Sequence, residues 1–233
     1  MRLEQLRKEV LEANLSLVRR GLVVETFGNA SGIDREQGLV AIKPSGVDYA
    51  QMRAEDIVIT DLTGNIVEGS LRPSSDLATH LELYRVFPRI GGVAHTHSRH
   101  ATAWAQARHE IPCFGTTHAD YFCGAIPVTA EMTLEEIASD YEHTTGVVIA
   151  RRFRNLDPMT IRAVLVAGHA PFTWGVSAGD AAYVASLLEE VAQLALLTVT
   201  VDQAALPISD TLRDKHFLRK HGPGAYYGQP NIK

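Results

Sequence analysis

The sequence predicts a single α/β domain in which helices cover a largely antiparallel sheet. Three observations support this class. Segments with the apolar spacing of a helix alternate with short apolar segments typical of strands. Two of those strands are joined by a short turn, as in antiparallel hairpins. No internal repeat, linker or shift in composition divides the 233 residues.

The first part of the chain is predicted to begin with an amphipathic helix and to continue as short strands. Apolar residues from Leu3 to Leu17 recur at steps of three and four, and Gly21 is placed to end that helix. The next helix carries its apolar residues on one face and stops at Pro88. After the first helix, strands are predicted at 39–42, 57–60 and 66–67, with a turn at 63–65 and the next helix at 77–87.

The second part alternates strands with helices that begin at capping residues. Thr133 and Glu136 have the spacing of a capping box, and Ser177 and Asp180 repeat it. The glycines and prolines of 221–233 predict an irregular tail. Strands are predicted at 92–94, 161–167 and 171–174, and helices at 98–107, from 133 to 139 or beyond, at 178–201 and at 209–220.

Composition excludes several classes of function. The net charge of −5 and the pI near 6.0 argue against nucleic acid as a partner. The charged N-terminal segment lacks the apolar core of a signal peptide, and Glu189 and Glu190 interrupt the longest apolar segment, so no membrane partner is expected. Cys113 and Cys123 are too few for a disulfide framework and are interpreted as buried thiols, which suits the cytoplasm.

Three histidines are the clearest candidates for a metal site. His95 and His97 follow the strand predicted at 92–94, and strand residues two apart point to the same face. His169 lies just beyond the strand at 161–167 and is a plausible third ligand. For His95 and His97 alone, an ordinary hydrogen-bonded pair is the alternative. Three imidazoles would leave a divalent ion with open coordination, as in catalytic sites.

Three loops with hydroxyl groups and glycine are candidate anion sites. Ser74 and Ser75 precede a predicted helix, and a helix N-terminus binds anions such as phosphate. Asp76 follows them and could instead be only the N-cap of that helix. The other two loops, at 28–32 and 43–46, are weak signals because glycine with asparagine or serine usually marks only a turn.

Two further segments carry groups suited to acid–base chemistry or anion binding. Residues 115–121 include Asp120, a candidate general acid or base, although a capped turn is the alternative. Near the C-terminus, His216 and Lys220 share a helix face ahead of a tail with Tyr227, and this segment could close over an anionic substrate or be a solvated face. Neither a P-loop nor a dinucleotide-binding G-x-G-x-x-G is present.

Taken in this order, the segments resemble the class II sugar-phosphate aldolase/epimerase family from about residue 5 to residue 229. The resemblance is closest to the epimerases of that family that act on L-ribulose 5-phosphate. Ala170 and Phe27 stand where relatives commonly have Gly and Trp. The resemblance is carried by Gly28-Asn29, Lys43-Pro44-Ser45-Gly46-Val47, Pro73-Ser74-Ser75-Asp76, His95-Thr96-His97-Ser98, Gly115 to Tyr121, His169, Arg219-Lys220-His221-Gly222 and Ala225 to Gln229.

The resemblance implies one three-layer α/β/α domain over 1–233 and a homotetramer, with active sites at subunit interfaces to which the tail 221–233 contributes. It implies a Zn²⁺ enzyme, with Mn²⁺ or Co²⁺ as alternatives, that epimerises L-ribulose 5-phosphate at C4. Asp120 and Tyr227 would be the acid/base pair, with Tyr227 acting in an adjacent subunit. The metal ligands would be Asp76, His95, His97 and His169, and the substrate contacts Gly28, Asn29, Lys43, Ser45, Gly46, Ser74, Ser75, Thr116, Glu142, His216 and Arg219.

Two other functions are compatible with the resemblance. A class II aldolase, such as one acting on L-fuculose 1-phosphate, would release the two fragments of its substrate. Such aldolases have Ser-Ser-Glu where this chain has Ser-Ser and Asp76, which favours the epimerase. A non-catalytic scaffold such as the adducin head need not keep metal ligands, and all four candidates are present here. The catabolic pathway, whether of L-arabinose, L-ascorbate or L-lyxose, is not encoded in these motifs.

Overall fold

In the computed structural model, residues 2–227 are described, and Gly228 and Gln229 of the predicted tail lie outside them. Within that range the chain forms seven strands and eight α-helices, with a 3₁₀ turn at Ala54–Asp56. The strands are β1 Asn29–Asp34, β2 Leu39–Ile42, β3 Val58–Asp61, β4 Ile66–Glu68, β5 Gly92–His95, β6 Ala163–Leu165 and β7 Pro171–Gly175. The helices are α1 Arg2–Arg19, α2 Leu77–Val86, α3 Arg99–Ala107, α4 Thr116–Ala119, α5 Leu134–Ala138, α6 Tyr141–Arg152, α7 Ala178–Val201 and α8 Asp210–His221.

All seven strands belong to one sheet in the order β4-β3-β2-β1-β5-β7-β6. Every neighbouring pair in that sheet is antiparallel, which confirms the predicted sheet type. The register sets His95, at the end of β5, between Asn29 of β1 and Phe172 of β7. Residues that are far apart in the sequence therefore meet at one end of the three central strands.

Helices cover both faces of the sheet. On one face, Asn14 of α1 donates to the Ala30 carbonyl at 3.0 Å, and Thr173 of β7 donates to the Ala181 carbonyl of α7 at 3.0 Å. On the other face, the ring of Trp174 packs against those of Phe87 and Phe153, which follow α2 and α6, with centroids 5.2 and 5.0 Å away. The three-layer α/β/α prediction is confirmed.

The sequence did not predict strand β1, because residues 28–32 had the composition of a turn. The segment has few of the branched side chains typical of strands, since α1 packs closely upon it. A Cβ atom on Gly32 would lie 3.1 Å from Val10 and 3.2 Å from Leu6. Small residues are therefore required where this central strand meets its covering helix.

Two other predicted boundaries were wrong. The helix that starts after Thr133 ends at Ala138, and a separate helix, α6, begins after Asp140, whose side chain accepts from the amide of His143 at 3.2 Å. The strand predicted at 161–167 is shorter because the chain turns after β6. In that turn the Val166 amide donates to the Ala170 carbonyl, and Gly168 has a φ of +71°.

Helix α7 is long and apolar enough to cross a bilayer by length and composition, and it is the one such helix among residues 2–227. Its buried positions run from Ala178 to Ala195, against α1, α3 and the sheet. From Ala178 to Ala195, one side of α7 is therefore packed as in a core helix. Leu194, Leu196, Leu197 and Val201, toward its C-terminal end, are exposed.

Candidate metal centre

The structure brings the three predicted histidines together. His95 ends β5, His97 follows it by two residues, and His169 lies in the turn between β6 and β7. Their candidate ligand atoms all lie within 4.8 Å of one another. The Nε2 atoms of His95 and His97 are 3.1 Å apart. The prediction that His169 supplies the third imidazole is consistent with this geometry.

The ring of His95 is held in an orientation suited to metal binding. Its Nδ1 donates to the Pro171 carbonyl at 2.9 Å, and its ring stacks on Phe172 with centroids 4.2 Å apart. Because Nδ1 donates this hydrogen bond, Nε2 is the ring nitrogen left to bind a metal, and it faces the other imidazoles. Histidine ligands of metals are usually oriented through the second ring nitrogen in this way, so the donor set fits a divalent ion.

Burial favours the neutral form of the other two histidines. It lowers the pKa of His97, and the neighbouring His95 lowers that pKa further. Burial, followed by the effects of His95 and His97, lowers the pKa of His169 to about 4. A metal ion binds the neutral imidazole, so these ligands need lose no proton near neutral pH.

Asp76 lies in the same cavity as the three histidines but outside the compact group of their ligand atoms. It occupies the N-cap position of α2, yet its side chain makes no capping hydrogen bond. Its Oδ2 accepts from the side-chain Nδ2 of Asn29 at 2.6 Å. Burial alone would raise the pKa of Asp76, but nearby His95 and His80 and the Asn29 hydrogen bond outweigh burial and lower it. Its role as a fourth ligand stays a prediction.

A cavity of about 430 Å³ joins the histidines to the three predicted anion loops. The loops are tied to one another: the Ser74 amide donates to the Lys43 carbonyl at 2.9 Å, and Asn29 donates to Ser74 Oγ at 3.0 Å. A Cβ atom on Gly28 would lie 2.8 Å from the His95 carbonyl, so only glycine fits there. The lining comprises Thr26, Phe27, Gly28, Asn29, Lys43, Pro44, Ser45, Gly46, Ser74, Ser75, Asp76, His95, His97, Tyr141, Glu142 and His169.

Lys43 is a buried residue in the lining of this cavity. Its Nζ donates to the Pro44 carbonyl at 3.2 Å and lies 4.7 Å from the centre of the Tyr49 ring. Burial lowers the pKa of Lys43, against an opposing effect of Asp48. The hydroxyl of Tyr49 in turn donates to the Gly28 carbonyl at 2.8 Å. Lys43 and Tyr49 therefore connect the loop at 28–32 to the loop at 43–46.

A second cluster of predicted site residues forms around Asp120. Arg219 donates to its two carboxylate oxygens at 3.1 and 2.8 Å, and His216 Nδ1 donates at 3.1 Å. Lys220 Nζ lies 3.4 Å from the same carboxylate and 4.2 Å from the centre of the Tyr227 ring. The basic face of α8 is thus packed on Asp120 rather than simply solvated.

This arrangement keeps Asp120 ionised. Burial alone would raise its pKa, but the hydrogen bonds from Arg219 and His216 and the charge of Lys220 outweigh burial and lower it. The guanidinium of Arg219 also lies 5.0 Å from the centre of the Tyr227 ring. Both candidate acid/base residues are therefore held by the same end of α8.

The predicted site residues divide into these two clusters within one chain. Thr116, Asp120, His216, Arg219 and Tyr227 do not line the histidine cavity. Contact between the two clusters through a neighbouring subunit stays a prediction.

The sequence did not point to Tyr141, although it lines the histidine cavity. Its hydroxyl lies 3.4 Å from His169 Nδ1. Tyr141 begins α6, the helix that the sequence did not predict, so no pattern drew attention to it. Its adjacency to Glu142, a residue singled out through the family resemblance, was the only available signal.

Comparison with known proteins identifies the class to which this fold and site belong. The family model described as Class II Aldolase and Adducin N-terminal domain matches residues 8–196, and the chain belongs to that family. It is 52% identical over 227 residues to the L-ribulose-5-phosphate 4-epimerase UlaF of Salmonella paratyphi C (strain RKS4594), covering 97% of this chain and 100% of that protein. The same figures hold for the UlaF protein of Salmonella choleraesuis (strain SC-B67).

Solved structures with this fold include two aldolases. An L-fuculose 1-phosphate aldolase superposes with a TM-score of 0.77 at 26% identity, covering 91% of this chain and 94% of its own. The L-fuculose-1-phosphate aldolase from Thermus thermophilus superposes with a TM-score of 0.68 at 26% identity, covering 88% of this chain and 100% of its own.

Proposed function

We propose that this protein is a metal-dependent L-ribulose-5-phosphate 4-epimerase that interconverts L-ribulose 5-phosphate and D-xylulose 5-phosphate. The identity of 52% over 227 residues to proteins of that name supports the activity. The observation that carries the proposal is the cavity in which three imidazoles face loops bearing Ser45, Ser74 and Ser75. Such a cavity can hold the oxygens of a ketose at one end and its phosphate at the other.

The chemistry of the substrate narrows the reaction. The ketone at C2 makes the C3 proton acidic but not the C4 proton, so deprotonation beside the carbonyl cannot invert C4. Cleavage of the C3–C4 bond gives the enediolate of dihydroxyacetone and glycolaldehyde phosphate. If the aldehyde group then rotates by about half a turn, the enediolate adds to the opposite face of the aldehyde carbon, and the new C3–C4 bond has the inverted configuration at C4.

The two ends of the cavity suit the two fragments. A divalent ion held by His95, His97 and His169, with Zn²⁺ as first choice and Mn²⁺ or Co²⁺ as alternatives, would stabilise the negative charge on the dihydroxyacetone fragment. Ser45, Gly46, Ser74 and Ser75 would hold the phosphate of the other fragment while its aldehyde carbon turns. Asn29 donates hydrogen bonds to both Asp76 and Ser74, and so fixes the distance between the metal end and the phosphate end of the cavity.

Asp120 and Tyr227 are proposed as the two acid/base groups. Two groups are needed because the C4 hydroxyls of the two epimers point in opposite directions. Since neither residue lines the histidine cavity of its own chain, we propose that Tyr227 reaches the cavity of an adjacent subunit in a homotetramer. Light scattering of the purified protein would give the subunit number, and a monomer would contradict this arrangement.

Substitution of the two groups tests their roles. Asp120→Asn and Tyr227→Phe should each lower epimerisation by roughly 10²–10⁴-fold, because each removes a transferable proton site. The matched control is Tyr226→Phe, which removes the hydroxyl of the exposed neighbour and should leave turnover near the wild-type value. Unchanged turnover in both Asp120→Asn and Tyr227→Phe would refute the assignment.

The decisive measurement compares two substrates with and without a chelator. We expect L-ribulose 5-phosphate to be epimerised and the activity to disappear when the metal is removed. Because an L-fuculose 1-phosphate aldolase has the same fold, aldol cleavage is the second candidate reaction. The presence of Asp76 where such aldolases have Glu argues against aldol cleavage. Net cleavage of L-fuculose 1-phosphate without epimerisation would favour that alternative. Absence of bound metal and of both activities would point to an adducin-like scaffold.

The cellular setting is part of the proposal. We propose a cytoplasmic enzyme of pentose (L-arabinose) or L-ascorbate catabolism, which takes a small phosphorylated ketopentose and has no nucleic-acid or membrane partner. Growth of a deletion strain on L-arabinose, L-ascorbate and L-lyxose would distinguish the pathways.

A further inference from the structure

A carboxylate in the middle of α7 binds the beginning of α3. Glu189 Oε1 accepts from the His100 amide at 2.9 Å and from His100 Nδ1 at 2.8 Å, and its Oε2 accepts from the Ala101 amide at 3.0 Å. Its side chain is only 17% exposed. Glu189 is therefore an ionisable group within an apolar helix, and its hydrogen bonds are directed to a single target.

The free backbone N–H groups at the start of a helix are usually bound by the side chain of a local capping residue. His100 and Ala101 are the second and third residues of α3, whose amides lack partners within the helix. Ser98 occupies the N-cap position, but its side chain makes no capping hydrogen bond. Glu189 supplies the missing acceptors from another helix, and its negative charge also suits the positive end of the α3 dipole.

The residue just before this cap is a candidate metal ligand. His97 lies two residues before α3 begins, and its position depends on the backbone between β5 and α3. The ring of His95 is oriented by the Pro171 carbonyl, whereas within residues 2–227 the hydrogen-bonding contact of His97 is with His95 itself. The backbone that carries His97 must therefore be held by other means.

We propose that Glu189 is a positioning residue for the metal centre, because it fixes the start of α3 and with it the backbone that presents His97. This inference rests on the proposed metal site. It assigns a function to a residue of α7, a helix that carries none of the candidate ligands.

The test compares Glu189→Gln with Glu190→Gln, the neighbouring and exposed glutamate on the same helix. Zinc affinity is measured by competition with a chromophoric chelator, and the site geometry is followed by the visible absorption of the Co²⁺-loaded protein. Loss of a group hydrogen-bonded directly to a metal ligand typically weakens metal binding by about 10- to 100-fold, and Glu189, which acts through the backbone, should fall at the lower end of that range. We expect that loss, with an altered Co²⁺ spectrum, for Glu189→Gln and wild-type behaviour for Glu190→Gln.

Each outcome has one meaning. If the wild-type protein binds no zinc, the proposed metal site fails. If the wild type binds zinc and Glu189→Gln binds it equally, with the same Co²⁺ spectrum, the inference fails even when the variant is less stable, since Glu189 then only caps α3. If Glu189→Gln does not fold, Glu189→Asp retracts the carboxylate by one methylene; we expect weaker zinc binding there also, and wild-type affinity would overturn the inference.

Discussion

A buried histidine close to Asp120 should make the stability of this protein depend on pH. His118 lies in α4 with 4% of its surface exposed, and its Nε2 donates to the Gly124 carbonyl at 2.8 Å. Burial lowers the pKa of His118 to about 4, against a smaller opposing effect of that hydrogen bond. In the unfolded chain the pKa of a histidine is about 6.5.

The sign follows from which state binds the proton. Below about pH 6.5 the unfolded chain takes up a proton at this site, whereas the folded protein does so only near pH 4. The contribution of His118 to the free energy of unfolding is therefore complete above pH 6.5 and is lost as the pH falls toward 4. At about 1.4 kcal/mol per pH unit, the loss is about 2 kcal/mol at pH 5 and approaches about 3 kcal/mol at pH 4.

Urea unfolding at pH 7 and pH 5 measures this effect. In His118→Gln, the glutamine amide can still donate to the Gly124 carbonyl but does not titrate. We expect the free energy of unfolding to fall by about 2 kcal/mol more in the wild type than in this variant over that pH interval. The control is His109→Gln, at an exposed position, which should follow the wild type. Equal pH dependence in wild type and His118→Gln would refute the reasoning.

Three further predictions concern the sheet and the two clusters. Gly92→Ala should lower the free energy of unfolding by about 3 kcal/mol in urea titrations, because its Cβ would lie 2.3 Å from backbone atoms at the start of α7, while Gly115→Ala, with nothing within 4 Å, should not. Arg219→Met should raise the pKa of Asp120, so the acidic limb of the kcat/KM profile should move to higher pH. His97→Ala should lose bound metal in elemental analysis, and full occupancy with normal activity would contradict its role as a ligand.

Local patterns in the sequence predicted most elements because each carries its own signal. The reciprocal hydrogen bonds of Thr133 and Glu136 occur as predicted from spacing alone. At the second box only half forms, because Ser177 accepts from the Asp180 amide while the Asp180 side chain accepts from the Val176 amide. Strand β1 was missed because its residues are small to allow the close packing of α1, and that tertiary contact leaves no pattern in the local sequence. The same holds for α6, whose start depends on Asp140 rather than on a clear apolar face.

The candidate site was predictable to the extent that motifs carried it. The spacing of His95 and His97 predicted that they lie together, and they do, although β5 ends at His95 and His97 lies just beyond the strand. In contrast, Asp120 and Arg219 are separated by 99 positions, and their ion pair depends on how α8 packs against α4. The role of Glu189 was hidden for the same reason, since in the sequence it only interrupts an apolar run.

The hairpin formed by β6 and β7 should govern how fast the candidate metal centre exchanges its ion. Its turn carries His169, and the carbonyl of Pro171, at the start of β7, orients His95. Strand β6 is the last strand of the sheet, and on its outer side Leu165 is hydrogen-bonded to Pro127 and Thr129, so opening of the hairpin must also break those two bonds. One opening of this hairpin would disturb two of the three imidazoles together. We therefore expect the rate of metal exchange to follow the rate of amide hydrogen exchange in this hairpin more closely than the affinity of any single ligand.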